Sequence, residues 1–208
     1  MSKHLVSLGL LSALFNLSTV AYSQEYPTFK TKNETHAVLT KSLEAQYPGV
    51  PVLNKKDWRT AEDIPWSKIV IVKDDFDGDY VAVFDKNYQK DSTGSEAGII
   101  SNWSQNQIRV YAYGIRRQCG LFNLVCKELE RKDLETGDLS IRVGEQVFKL
   151  VGKNGNYPMN PELATALRNA PSGKAKIRVT LEGSGSTITN DIGEKTVEAW
   201  KIVYKPSD

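Results

Sequence analysis

Five aspartates crowd one short stretch of the chain: Asp74, Asp75, Asp77, Asp79 and Asp85. Alternate carboxylates around a tight glycine turn, as at Asp75, Asp77 and Asp79 beside Gly78, can converge on one hard cation, which takes about six to eight oxygens. Calcium is the cofactor such a loop would hold, weakly, with Asp74, Asp85 or water completing the shell. The same residues also read as a plain hairpin turn. Asp77-Gly78 tolerates the positive φ angles of a two-residue type I′ turn, and the flanking carboxylates then keep a strand end soluble. Paired carboxylates also do acid–base work in hydrolases. Asp74, Asp75, Glu128 and Glu130 are candidates, but any chain with 25 acidic residues offers as many.

The run Asp75-Phe76-Asp77-Gly78-Asp79 resembles the DxDGD calcium loop of repeats in integrin-like propellers and related secreted proteins. The resemblance covers these residues alone and implies a calcium site at Asp75, Asp77 and Asp79. Tyr80 stands where a glycine usually follows, and Val83 where a further aspartate completes the shell.

Other catalytic chemistry finds little support. Beyond the first residues the chain holds a single histidine, His36, in a polar stretch that reads as surface. Gly183-Ser184-Gly185-Ser186 lacks the strand–Gly-x-Ser-x-Gly–helix frame of a nucleophile elbow. Cys119 and Cys126 are expected to form a disulfide, since no nearby His or CxxC spacing favours zinc.

Binding fits better. Trp103 sits in Asn102-Trp103-Ser104-Gln105-Asn106, which reads as a polar hairpin tip. It either folds back onto the core or stacks on a sugar or a protein partner. Strand alternation sends Arg109, Tyr111 and Tyr113 to one side, and aromatic faces with a guanidinium suit such ligands. The candidate binding surface is therefore Trp103, Arg109, Tyr111 and Tyr113. Asn33-Glu34-Thr35 and Asn102-Trp103-Ser104 also match the N-glycosylation pattern.

The chain of 208 residues opens like a secretory signal peptide: Lys3, the apolar run Leu5–Val20, then Ala21-Tyr22-Ser23 as a cleavage site. No Cys marks a lipid anchor there, and no later stretch is apolar enough to cross a bilayer. Residues 24–208 suffice for a single β-rich domain, with 24–67 as a peripheral segment. A net charge of +2 is a poor match for nucleic acid. A secreted or periplasmic protein follows.

These residues need elements to hold them. Ile69–Val72 and Tyr80–Phe84 around Asp77-Gly78 predict a central hairpin, with Val72 opposite Val83 and Ile71 opposite Phe84. Ala97–Ser101 with Gln107–Ile115, and Leu139–Val143 with Gln146–Val151, predict two more. Thr35–Gln46 reads as a short helix, Val50–Lys68 as irregular, Lys86–Glu96 as a polar loop, and the charged run after Cys126 as a helical turn. Asn156–Ala170 holds the best helix, about 160–170, with Asn160 as cap and Pro161 at its first position. Lys176–Leu181 reads as a strand and Gly183–Gly193 as a loop. Thr196–Tyr204 reads as a strand, although Val197, Trp200 and Val203 also fit a helix. The fold class is mainly β: an antiparallel sandwich or filled barrel built from hairpins, with one or two short helices. The functional reading is an exported, non-catalytic domain that binds a glycan or protein. A calcium-stabilised module and a carboxylate-dependent hydrolase are the alternatives.

Overall fold

The computed structural model describes residues 43–54, 58–59, 63–120 and 125–206. The stretch expected to be a signal peptide, Asn33, His36 and the first part of the helix expected over 35–46 lie outside them; residues 43–46 are helical (α1). Two sheets make a β-sandwich, not a closed barrel. The larger runs β1 (Val52–Asn54), β2 (Ile69–Lys73), β3 (Tyr80–Lys90), β4 (Glu96–Ser104), β5 (Gln107–Cys119) and β6 (Cys126–Leu134), with β9 (Asn156–Pro158) paired to the start of β5. The smaller runs β11 (Thr187–Asp191), β10 (Ala175–Leu181), β7 (Thr136–Val143) and β8 (Gln146–Leu150). All pairings are antiparallel except β1 with β2.

Alternation along each strand builds the core. Val83, Ile99, Ile108 and Ala112 of the larger sheet meet Leu139, Ile141, Ile177 and Val179 of the smaller. Leu163 and Leu167 of α2 (Pro161–Arg168) and Val197, Trp200 and Val203 of α3 (Glu194–Val203) complete it. The outer face of the larger sheet is covered too. Ile64, Trp58 and Trp66 pack over Val70, Phe84, Ile100 and Tyr113, which is why β2 and β3 are apolar on both faces.

The three expected strand pairings form, and the expected helix is present but shorter, at Pro161–Arg168, with Asn156–Pro158 as strand β9. Asn160 caps α2, its Oδ1 accepting from the Leu163 N–H at 2.8 Å. Five local expectations are corrected. First, the first hairpin is not closed by Asp77-Gly78 alone. Asp74 Oδ1 accepts from the N–H groups of Phe76 and Asp77, and Gly78 N–H donates to the Asp74 carbonyl. That wider turn sets Val72 opposite Tyr80 and Ile69 opposite Val83. Second, most of the polar run from Lys86 is strand. β3 continues to Lys90 because its exposed end pairs with β4, and Asp91 makes the turn by accepting from Thr93 and Ser95. Third, the charged run from Cys126 is the edge strand β6, and part of the 183–193 loop is β11. Fourth, the strand expected over 196–204 is instead the helix Glu194–Val203, because Val197, Trp200 and Val203 share one buried face. Fifth, Val52–Asn54 adds a parallel strand to a stretch expected to be irregular.

Trp103 is also placed anew. The turn is only Gln105-Asn106, so β4 runs through Ser104 and carries Trp103 onto the inner face opposite Ile108. It is 0% exposed, donates from Nε1 to Ser101 Oγ at 2.8 Å, and packs on Trp200 with ring centroids 4.7 Å apart. Neighbouring Asn102 is equally buried, so the folded domain does not present the Asn102-Trp103-Ser104 triplet to a glycosylating enzyme.

Trp200 is brought to Trp103 by a contact at the start of α3. The helix begins after Gly193, which has no side chain to cap it. Asp85 of β3 supplies the cap: its Oδ1 accepts from Gly193 N–H at 3.2 Å and Thr196 Oγ1 at 2.6 Å. A Cβ at Gly193 would lie 3.0 Å from that oxygen, so glycine lets the carboxylate approach. Burial pushes the Asp85 carboxyl above the usual range, and hydrogen bonds from Thr196, Gly193 and Ser67 only partly offset this.

Two outcomes follow. Trp103→Ala removes a fully buried indole and should cost about 3–5 kcal/mol in denaturant unfolding. A melt close to wild type would put Trp103 outside the core. For Asp85, the raised folded-state pKa means its contribution is fully present below the ordinary carboxylate pKa. It is lost as pH rises through the raised value. Asp85→Asn keeps an acceptor without that titration. Its stability relative to wild type should therefore increase from acid toward neutral pH, and a pH-independent difference would contradict this.

Candidate functional site

The long strand β5 changes partner along one edge. β9 covers Gln107–Arg109 and β6 covers Ala112–Cys119. Between them the chain leaves the larger sheet at Leu134 and enters the smaller at Thr136. A cleft of about 690 Å³ opens at this gap, lined by Arg109, Val110 and Tyr111 of β5, Asp133–Thr136, Asn154–Asn156, Glu182, Trp58 and Arg59.

A tight turn shapes its floor. Asn154 and Gly155 have φ of 53° and 73°, and Lys153 and Asn156 exchange backbone hydrogen bonds across them. This is the two-residue turn that Asn-Gly favours. The Gly155 carbonyl accepts from Val110 N–H at 2.7 Å, so the turn rests on β5.

Aromatic rings and arginines form the wall. Arg109 lies over Trp58 and over Tyr80, at 5.9 and 5.7 Å to the centroids. Its guanidinium donates to the Tyr80 hydroxyl and to Asn102 Oδ1. Arg59 lies over Tyr111 at 5.7 Å. The Tyr111 hydroxyl donates to Asp133. Burial pushes the Tyr111 phenol up, and the bond to Asp133 adds to this. Burial likewise raises Tyr80, against the nearby Arg109 charge.

Arg109, Tyr111 and Tyr113 do share the outer face of β5, and the two tyrosine rings stack at 5.9 Å. Trp103 is on the opposite face, so the four do not form one surface. Tyr113 lies outside the cleft, beneath Arg131 at 4.8 Å, with its hydroxyl donating to Glu96.

Asp75 and Asp77 are exposed, whereas the Asp79 side chain is buried and accepts from Asp74 N–H at 3.1 Å. Among the described residues no group of three or more His, Cys, Asp or Glu is placed to hold a metal ion. Asp74, Asp75, Glu128 and Glu130 do not line the cleft; Glu130 pairs with Lys132 and Arg116. Its carboxylates are Asp133, Glu135 and Glu182, which no sequence motif marked. Asn154-Gly155 was the available signal, because that dipeptide names a tight turn and a turn needs strands on both sides. Cys119 and Cys126 face each other across β5 and β6 and form the disulfide. No family model, curated protein or solved structure matches the chain.

A Cβ at Gly155 would lie 2.2 Å from the Val110 carbonyl oxygen, whereas at Gly173, also at positive φ, it would meet open space. Both alanine variants lose about 1 kcal/mol to backbone strain. Gly155→Ala should lose clearly more in thermal melts, and equal losses would show that the turn does not rest on β5 as described.

Proposed function

We propose that the chain is an exported, non-catalytic β-domain that binds a glycan in the cleft beside β5. One observation carries this reading: a half-buried indole, Trp58, stands among planar polar groups at a gap in a sheet edge. Sugar hydroxyls both donate and accept. They match the carboxylates of Glu135 and Glu182, the amides of Asn154 and Asn156, and the Arg59 guanidinium. The apolar face of a pyranose suits an indole. The volume suits a small oligosaccharide rather than a large partner. Export is supported by the Cys119–Cys126 disulfide, which persists in oxidising compartments. Among the described residues no helix is long and apolar enough to cross a membrane.

Glu135 and Glu182 are exposed, so removing their side chains should leave the melt unchanged. Against a glycan selected on an array, Glu135→Ala and Glu182→Ala should each weaken calorimetric affinity about tenfold or more, the worth of a hydrogen bond to a charged group. No glycan bound at millimolar concentration would reject the reading. Release of shortened glycan, lost on replacing one of these carboxylates, would favour the hydrolase instead.

A further inference from the structure

A strand at the edge of a sheet presents unpaired backbone groups, and folded proteins block such edges. Most edges here are blocked. β1 and β9 are three residues each. β6 is charged and carries a bulge at Leu129: Arg116 opposes Glu130 while Arg117 opposes Glu128. β11 is closed by side chains of β3, with the Asn87 and Gln89 amides donating to the Asp191 and Thr189 carbonyls. Among the described residues, β8 is the least protected edge. It is unbulged and carries one charge, Lys149, with Val147 56% exposed and Val151 beyond it 80% exposed.

The turn fixes which groups face out. Gly144-Glu145 joins β7 to β8, so Val143–Gln146 is the closing hydrogen-bonded pair and Ile141–Phe148 the next. The N–H and C=O of Val147 and Lys149 therefore point away from β7. An antiparallel neighbour must set outward residues against outward residues, which leaves two copies of β8 three central registers. One opposes Lys149 to itself. Another opposes Val147 to Lys149. The third opposes Val147 to itself and Lys149 to Glu145. Only the third matches apolar with apolar and opposite charges with each other. Glu145 stands ready for it, 94% exposed at the turn and held at 3.0 Å by Arg142.

We propose that β8 pairs antiparallel with β8 of a second copy of this chain. Val147 lies on the two-fold axis, and Lys149 of each copy faces Glu145 of the other. The two smaller sheets then become one. Strands this short bury less than a standard interface, so association is weak and concentration-dependent.

Sedimentation velocity of the full chain over rising concentration should show a monomer–dimer equilibrium. Lys149→Glu should weaken it about tenfold, and adding Glu145→Lys should restore it. Val147→Cys should give a covalent dimer on mild oxidation, while Lys149→Cys should not. All these positions are exposed, so melts should match wild type and separate lost pairing from lost folding. A monomer at every concentration, failure of the charge swap to restore association, or cross-linking at 149 rather than 147 would overturn the proposal. So would an extended peptide binding to β8 of a protein that never self-associates.

Discussion

The start of α3 depends on a carboxylate from another sheet. Asp85 accepts from Gly193 and Thr196, residues 108 and 111 positions away in sequence. Negative charge at a helix N-terminus is favourable, and the buried site would be costly for an unpartnered carboxylate. This contact decides where the helix enters, hence where Trp200 lands, hence whether Trp103 has a partner on the core side. Nothing local in 194–203 does this, because Gly193 offers no cap of its own. Closure of the sandwich therefore rests on contacts of long sequence separation, which cost more loop-closure entropy than those of the hairpins.

That dependence explains which parts of the fold were legible in sequence. Hairpins with a two-residue turn, such as Gly144-Glu145, announce themselves, as does a helix with Asn160 and Pro161 at its start. Elements defined by distant partners do not. The run from Lys86 to Lys90 is polar because its inner side chains, Asn87 and Gln89, bond the edge of β11. Polarity there looked like a loop. The α3 segment alternates well enough to pass for a strand, and the Asp85 cap and the Trp103 contact join the Val197, Trp200 and Val203 stripe in favouring the helix. The first hairpin slipped because Asp74 widens the turn through its side chain, and an odd slip of register exchanges faces.

The site was legible in part, for a similar reason. Alternation alone sets Arg109, Tyr111 and Tyr113 on one side of β5, and the structure agrees. Joining Trp103 to them required knowing where the β4–β5 turn falls. Three residues less of loop carried the indole into strand, onto the opposite face. The cleft carboxylates were beyond reach. Asp133, Glu135 and Glu182 come from segments that meet only because the chain changes sheets between β6 and β7.

The aromatic residues of the outer face pair with cations. Trp58 and Tyr80 flank Arg109, Tyr111 lies under Arg59, and Tyr113 under Arg131. Arg109 is half-buried between its two rings, which strengthens those contacts, whereas Arg59 and Arg131 are exposed. Arg109, also hydrogen-bonded to Tyr80 and Asn102, therefore has little rotamer freedom left to lose. On the proposed reading, a ligand would meet the half-buried Trp58 and the carboxylates and amides that line the cleft with it. A cleft built this way favours a ligand rich in hydroxyls over an apolar one. An apolar ligand would leave those carboxylates and amides desolvated without partners.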